Sequence, residues 1–183
     1  VYGQVRRRGI IVASPQRGGK NTIANNTIVE EQPLTLWNGN GEVVVNNILV
    51  AEGGEVLSFD EGTQDVLVDC NLCVPKSARQ GPHGLTGDPR FVDATRGVFW
   101  LRDGSPAIGK GASQYAPTTD FWGRPRPPDR APDLGAFAFE PVLTEEQVRA
   151  GWDHGWAYHR HGNKTGLPDP WPLPPPGPAR RAH

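Results

Sequence analysis

Apolar residues come along this chain in short bursts, each closed off by Asn, Gly or Asp, and the bursts recur. An Asn-centred phrase marks the rhythm: Asn25-Asn26-Thr27-Ile28-Val29, then Asn46-Asn47-Ile48-Leu49-Val50, then Cys70-Asn71-Leu72-Cys73-Val74. The second Asn falls at 26, 47 and 71, so the repeats are 21 and 24 residues long, a period typical of stacked repeat architectures. Gly9-Ile10-Ile11-Val12 offers an earlier strand, and Pro33-Leu34-Thr35-Leu36-Trp37 another, ending at the turn signal Asn38-Gly39-Asn40-Gly41, whose residue types tolerate positive φ. Glu42 to Val50 follows as a strand pair. Short strands that recur once per coil predict an all-β solenoid of parallel strands.

Stacking the phrases makes two columns. Ile28, Leu49 and Cys73 fall in one, assigned to the interior. Asn26, Asn47 and Asn71 fall in another, at the bend of each coil. Amide side chains stacked at the strand spacing of about 4.8 Å can bond to each other and to the turn backbone, so these Asn residues are read as structural. Three coils are the minimum for such a stack, and open ends leave its entropic cost poorly offset.

Residues 81–141 leave the period. Phe91, Phe99, Leu101, Ile108 and Leu134 are read as a capping layer laid on the last coil, after the coils of residues 1–80. One capping helix is predicted within 142–162, where Thr144 and Gln147 form a capping box, Glu145 and Glu146 occupy the first turn, and Val148, Trp152, Trp156 and His159 or Tyr158 make a stripe. Residues 163–183 form a Pro-rich tail, with seven Pro between Pro168 and Pro178, a composition that favours extended conformations.

Composition changes this picture little. Gly (23) and Pro (19) are abundant among the 183 residues, which suits short strands and many turns. Nineteen basic and twenty acidic residues leave a formal charge of −1, without the concentrated basic face of a nucleic-acid binder; Arg6-Arg7-Arg8 reads as a solvated edge. No apolar run approaches the ~20 residues of a membrane span. The chain opens at Val1 in what reads as the middle of a coil and contains no Met. It is therefore expected to be part of a longer product, with further N-terminal coils as its partner.

The middle segment carries a resemblance. Gly87-Asp88-Pro89-Arg90-Phe91-Val92-Asp93, Gly97-Val98-Phe99-Trp100-Leu101, Gly104-Ser105-Pro106-Ala107-Ile108-Gly109 and Asp133-Leu134-Gly135-Ala136-Phe137 resemble the C-terminal coils of right-handed parallel β-helix proteins of the pectate-lyase-like superfamily. With the Asn phrases the resemblance covers about residues 9–140. It implies a right-handed parallel β-helix fragment, an extracellular or cell-surface location, and a parent protein that binds or processes polysaccharide as a lyase or glycoside hydrolase, with Ca²⁺ as a cofactor of the parent and none in this fragment. The alternative it implies is a non-catalytic structural or carbohydrate-binding module. Relatives usually carry Asp-Ala after the Ser-Pro-Ala-Ile phrase, where this chain has Gly109-Lys110. The family's catalytic residues lie on central coils, so no catalytic position is carried over.

Candidate chemistry collects in one loop, where Asp120, Arg124, Arg126, Asp129, Arg130 and Asp133 crowd together. A guanidinium grips a sugar carboxylate with two parallel bonds; the same residues also make internal Asp–Arg pairs that rigidify a loop. Trp37, Trp122, Arg124 and Arg126 are the candidate substrate contacts, and Asp120 and Asp133 the candidate braces. Trp37, Trp100 and Trp122 could stack on sugar rings, but a Trp in such a layer is more often packing. No metal site is assigned: Cys70 and Cys73 read as small side chains in a coil, and among His154, His159 and His161 the first two diverge by about 140° around a helix. No nucleophile elbow or phosphate loop is present; Gly18-Gly19-Lys20 lacks the rest of one.

Overall fold

A computed structural model describes residues 8–13 and 20–141. The predicted helix, the three histidines beside it and the Pro-rich tail lie outside the described residues. Eleven strands are present among the described residues: β1 (Arg8–Ala13), β2 (Thr22–Ala24), β3 (Thr27–Glu30), β4 (Gln32–Trp37), β5 (Val43–Val45), β6 (Ile48–Ala51), β7 (Leu57–Phe59), β8 (Leu67–Asp69), β9 (Leu72–Val74), β10 (Phe91–Asp93) and β11 (Val98–Leu101). The first nine form three parallel sheets ordered β1-β4-β7, β2-β5-β8 and β3-β6-β9. Each successive strand therefore joins a different sheet and returns one coil later beside its equivalent. The fold is all-β and solenoid-like; helical structure among the described residues amounts to two 3-10 turns, Ala94–Arg96 and Ser113–Tyr115. No described helix is long and apolar enough to cross a membrane.

Register follows the phrases. Ile28 pairs with Leu49, and Leu49 with Cys73. All three are buried and share the main core with Ile23, Leu34, Leu36, Val44, Val56 and Leu57. Ile28 caps this column from the first coil, so Ile28→Val is expected to cost about 1 kcal/mol, the usual price of one buried methylene, read from the denaturant midpoint at unchanged slope.

Two residues make each bend between the second and third sheets. Asn25, Asn46 and Cys70 hold φ of 55°, 60° and 50°, a left-handed geometry that Asn tolerates better than most residues. The residue after each turns inward: Asn47 and Asn71 are fully buried and Asn26 half-buried. The backbone N–H of Asn26 donates to Asn47 Oδ1 at 2.9 Å, and that of Asn47 to Asn71 Oδ1 at 3.0 Å. The amide column is thus a continuous hydrogen-bonded ladder.

After β9 the chain adds one more rung, where Leu85 bridges Leu72 in parallel, and then β10 and β11 pair antiparallel. The segment beyond does not stop at the last coil, as the apolar spacing suggests. It runs along the outer side of the bend as far as the first coil: Gly135 N–H donates to Asn46 O at 2.7 Å and Ala136 N–H to Thr27 Oγ1 at 3.0 Å. The reason lies on the coils themselves. Ile48 and Leu72 project from the outer face of β3-β6-β9 and are covered by Leu101, Ala107 and Leu134, with Phe91 and Ile108 beside them. The outward amides of Asn25 and Asn46 also find backbone partners there, in Asp133 O (3.0 Å) and Ala112 O (3.0 Å). Phe99 joins a separate cluster with Val98, Trp100 and Phe137. At Gly135 (φ 83°) a Cβ would stand 2.6 Å from Thr27 Oγ1 and 2.7 Å from Ile48 Cδ1, so only glycine allows this approach.

Candidate functional site

The Pro-rich loop gathers its charges around two buried carboxylates. Asp120 Oδ1 accepts from the N–H groups of Trp122 and Arg124, both at 2.9 Å, folding the loop onto its own side chain. Its Oδ2 takes the Arg124 guanidinium through Nε (3.1 Å) and Nη2 (2.9 Å) and the Ala138 N–H at 3.2 Å. Arg124 spends its remaining arm on Glu140 Oε2 at 2.7 Å. Asp133 takes Gly109 N–H (2.8 Å) and Phe139 N–H (2.8 Å) together with both Arg130 nitrogens. Burial alone would raise the Asp133 carboxyl, but the Arg130 hydrogen bonds, the two N–H groups and the Arg130 charge outweigh it and hold it below the ordinary carboxylate range.

Arg126 is buried among carbonyls, donating to Asp133 O (3.1 Å), Gly135 O (2.8 Å) and Ala136 O (3.3 Å). Burial pulls its guanidinium down, and the charges of Asp120 and Asp133 oppose that pull. Arg124 and Arg126, expected on a substrate, therefore stand on this protein's own groups, as do Asp120 and Asp133; Asp129 is exposed. Trp122 is half-buried, packed against Trp100 and Phe121 at ring separations of 6.5 and 6.4 Å. Trp37 lies at the end of β4, exposed, with the Arg8 guanidinium 5.2 Å from its ring. It does not join the others.

An open cleft of about 390 Å³ lies where this loop meets the first bend, lined by Asn25, Asn26, Thr27, Thr119, Phe121 and Arg126 among others. Phe121 is 54% exposed although it makes T-shaped contacts with Trp122 and Phe137. The cleft thus combines an aromatic ring with amides and hydroxyls. Of its lining, sequence reasoning singled out Asn26, Asp120 and Arg126 but not Phe121, which sits inside Asp120-Phe121-Trp122-Gly123 with no sign of which aromatic faces out.

A second cluster occupies the bend of the third coil. Asp69, Cys70 and His83 bring a carboxylate oxygen, a sulfur and an imidazole nitrogen within 4.8 Å of one another. Asp69 Oδ1 accepts from the N–H groups of Cys70 (2.9 Å) and His83 (2.8 Å), and Oδ2 lies 2.7 Å from His83 Nδ1. Burial would raise Asp69, but the His83 bonds, the Cys70 N–H and the His83 charge lower it on balance. Cys70 is pushed up by burial and by the Asp69 charge, against the Ala112 N–H. Cys73 belongs to the interior, where burial raises its thiol to about 12. The two cysteines thus do not form one motif. The sequence signal for this cluster was a departure in the bend column, Cys70 standing where Asn25 and Asn46 stand in the other coils; His83 gave none.

Comparison with protein-family models, with curated proteins and with solved structures found no match to this chain.

Proposed function

We propose that this chain is a segment of a right-handed parallel β-helix, related in architecture to the pectate-lyase-like proteins and extracellular or cell-surface in setting, that binds a polysaccharide without carrying out chemistry on it within residues 20–141. The observation that carries this reading is the composition of the cleft at the first bend. Sugar rings offer C–H faces to an aromatic ring and hydroxyls to amides and hydroxyls, and Phe121 stands beside Asn26, Thr27 and Thr119. Neutral sugars suit it better than uronates. The guanidinium of Arg126 is spent on three carbonyls and that of Arg124 on Asp120 and Glu140, so gripping a sugar carboxylate would mean breaking buried bonds.

The test is calorimetric titration of the full chain with a panel of neutral and uronate-containing oligosaccharides, with and without Ca²⁺, alongside assays for unsaturated and reducing ends. Binding of a neutral glycan is expected. Phe121→Ala is expected to weaken it at least tenfold, about 1.4 kcal/mol, while leaving the thermal midpoint nearly unchanged because the ring is more than half exposed. Silence across the panel from folded protein would reduce the reading to a structural module. New unsaturated or reducing ends would overturn its non-catalytic part.

A further inference from the structure

We propose that Asp69, Cys70 and His83 form a binding site for a zinc-like divalent transition-metal ion, held at the bend of the third coil. The donor set is one that borderline metals select: a sulfur, an imidazole nitrogen and a carboxylate oxygen. With zinc–ligand bonds of about 2.0–2.3 Å, tetrahedral ligand atoms lie roughly 3.3–3.7 Å apart. The three donor atoms already lie within 4.8 Å of one another, the nitrogen–oxygen pair at 2.7 Å, so an ion enters by parting that pair and drawing in the sulfur, shifts of about 1 Å. The side chain of His83 is 74% exposed and turns readily to make them.

Two features distinguish this cluster from a chance meeting of polar groups. The carboxylate is held by an outer shell: two backbone N–H groups fix Asp69 Oδ1 and leave Oδ2 toward the imidazole, as ligand carboxylates in metal centres are themselves hydrogen-bonded. The sulfur sits at the left-handed bend position where the other two coils carry the amides of Asn25 and Asn46, and like the Asn46 amide it meets the flanking backbone at Ala112. Charge and protons also balance. Binding releases the Cys70 proton to solvent and shifts the imidazole proton from Nδ1, where it faces Asp69 Oδ2, to Nε2, so that thiolate, carboxylate and neutral imidazole together offset a 2+ ion. With three protein ligands and an exposed His83, the fourth position would be left to water, as in other three-ligand centres.

The experiment loads the chelator-treated full chain with Zn²⁺ in competition with a chromophoric chelator, and separately with Co²⁺ to look for the near-ultraviolet thiolate-to-metal band. One ion per chain and a thiolate band are expected. Cys70→Ser is expected to abolish the band and weaken binding ~100-fold or more, and His83→Ala to weaken it at least ~10-fold, since even outer-shell changes cost 10–100-fold. Cys73→Ala and the double variant His154→Ala/His159→Ala are expected to keep both. Should Cys70→Ser fail to fold, Cys70→Asn places at this left-handed bend the residue that the other two coils use. Absence of a thiolate band, a band that survives loss of Cys70, or an affinity that His83→Ala leaves unchanged would each overturn the proposal.

Discussion

Asp133→Ala is expected to destabilise the protein by about 3–5 kcal/mol, because it removes a buried acceptor and strands its donors at about 1–3 kcal/mol each. The Asp133 side chain is wholly buried, and its oxygens receive the N–H groups of Gly109 and Phe139 and two arms of Arg130. These donors come from separate stretches of the flanking segment. The carboxylate therefore ties together the segment that covers Ile48 and Leu72, and its loss leaves two backbone donors without their acceptor. Urea unfolding followed by circular dichroism measures the change; a loss below about 1 kcal/mol would show that the segment is held by its apolar contacts alone. The same residue sets an acid limb. Its folded pKa lies below the unfolded value of about 4, so its contribution is complete above that value and is lost as pH falls through the folded one. In Asp133→Asn that component of the pH dependence should vanish, leaving a flatter stability profile below about pH 5.

The contrast between what the residues announced and what they concealed is physical. Ile28, Leu49 and Cys73, and the amides of Asn26, Asn47 and Asn71, were legible because a stacked coil repeats each environment one period later, so side chains doing the same work recur in register. The path of the flanking segment was not. Leu101 and Leu134 are apolar in any arrangement, and nothing local says that they cover Ile48 in the second coil rather than the end of the third. The charged loop was legible as a cluster but not in its orientation: an Arg that grips a ligand and an Arg that grips carbonyls, as Arg126 does, look the same in sequence. Asp69 and His83 meet only because the chain doubles back between them.

Asn47→Ala is expected to cost about as much as the loss of Asp133, and for a reason that separates a ladder from packing. Asn47 Oδ1 accepts from the backbone and side-chain nitrogens of Asn26 at 2.9 and 3.0 Å, and its Nδ2 reaches Ile23 O, Val45 O and Asn71 Oδ1 at 2.8, 2.9 and 2.9 Å. Asn47 is fully buried, so truncation strands polar groups on three coils at about 1–3 kcal/mol each, less whatever water enters the space. A loss of about 3–5 kcal/mol follows. Asn47→Leu restores volume but no hydrogen bond, and is expected to be no more stable than the Ala variant; a Leu variant equal to the native protein would show that the column works by filling space. Asn26→Ala, at the half-exposed end of the ladder, should cost only about 1–2 kcal/mol, because water reaches part of what it leaves. That end of the ladder is also where Asn26 lines the cleft. If the proposed glycan site is right, Asn26→Ala should weaken glycan binding more than its small effect on stability would suggest, because Asn47 holds the Asn26 amide at the cleft wall.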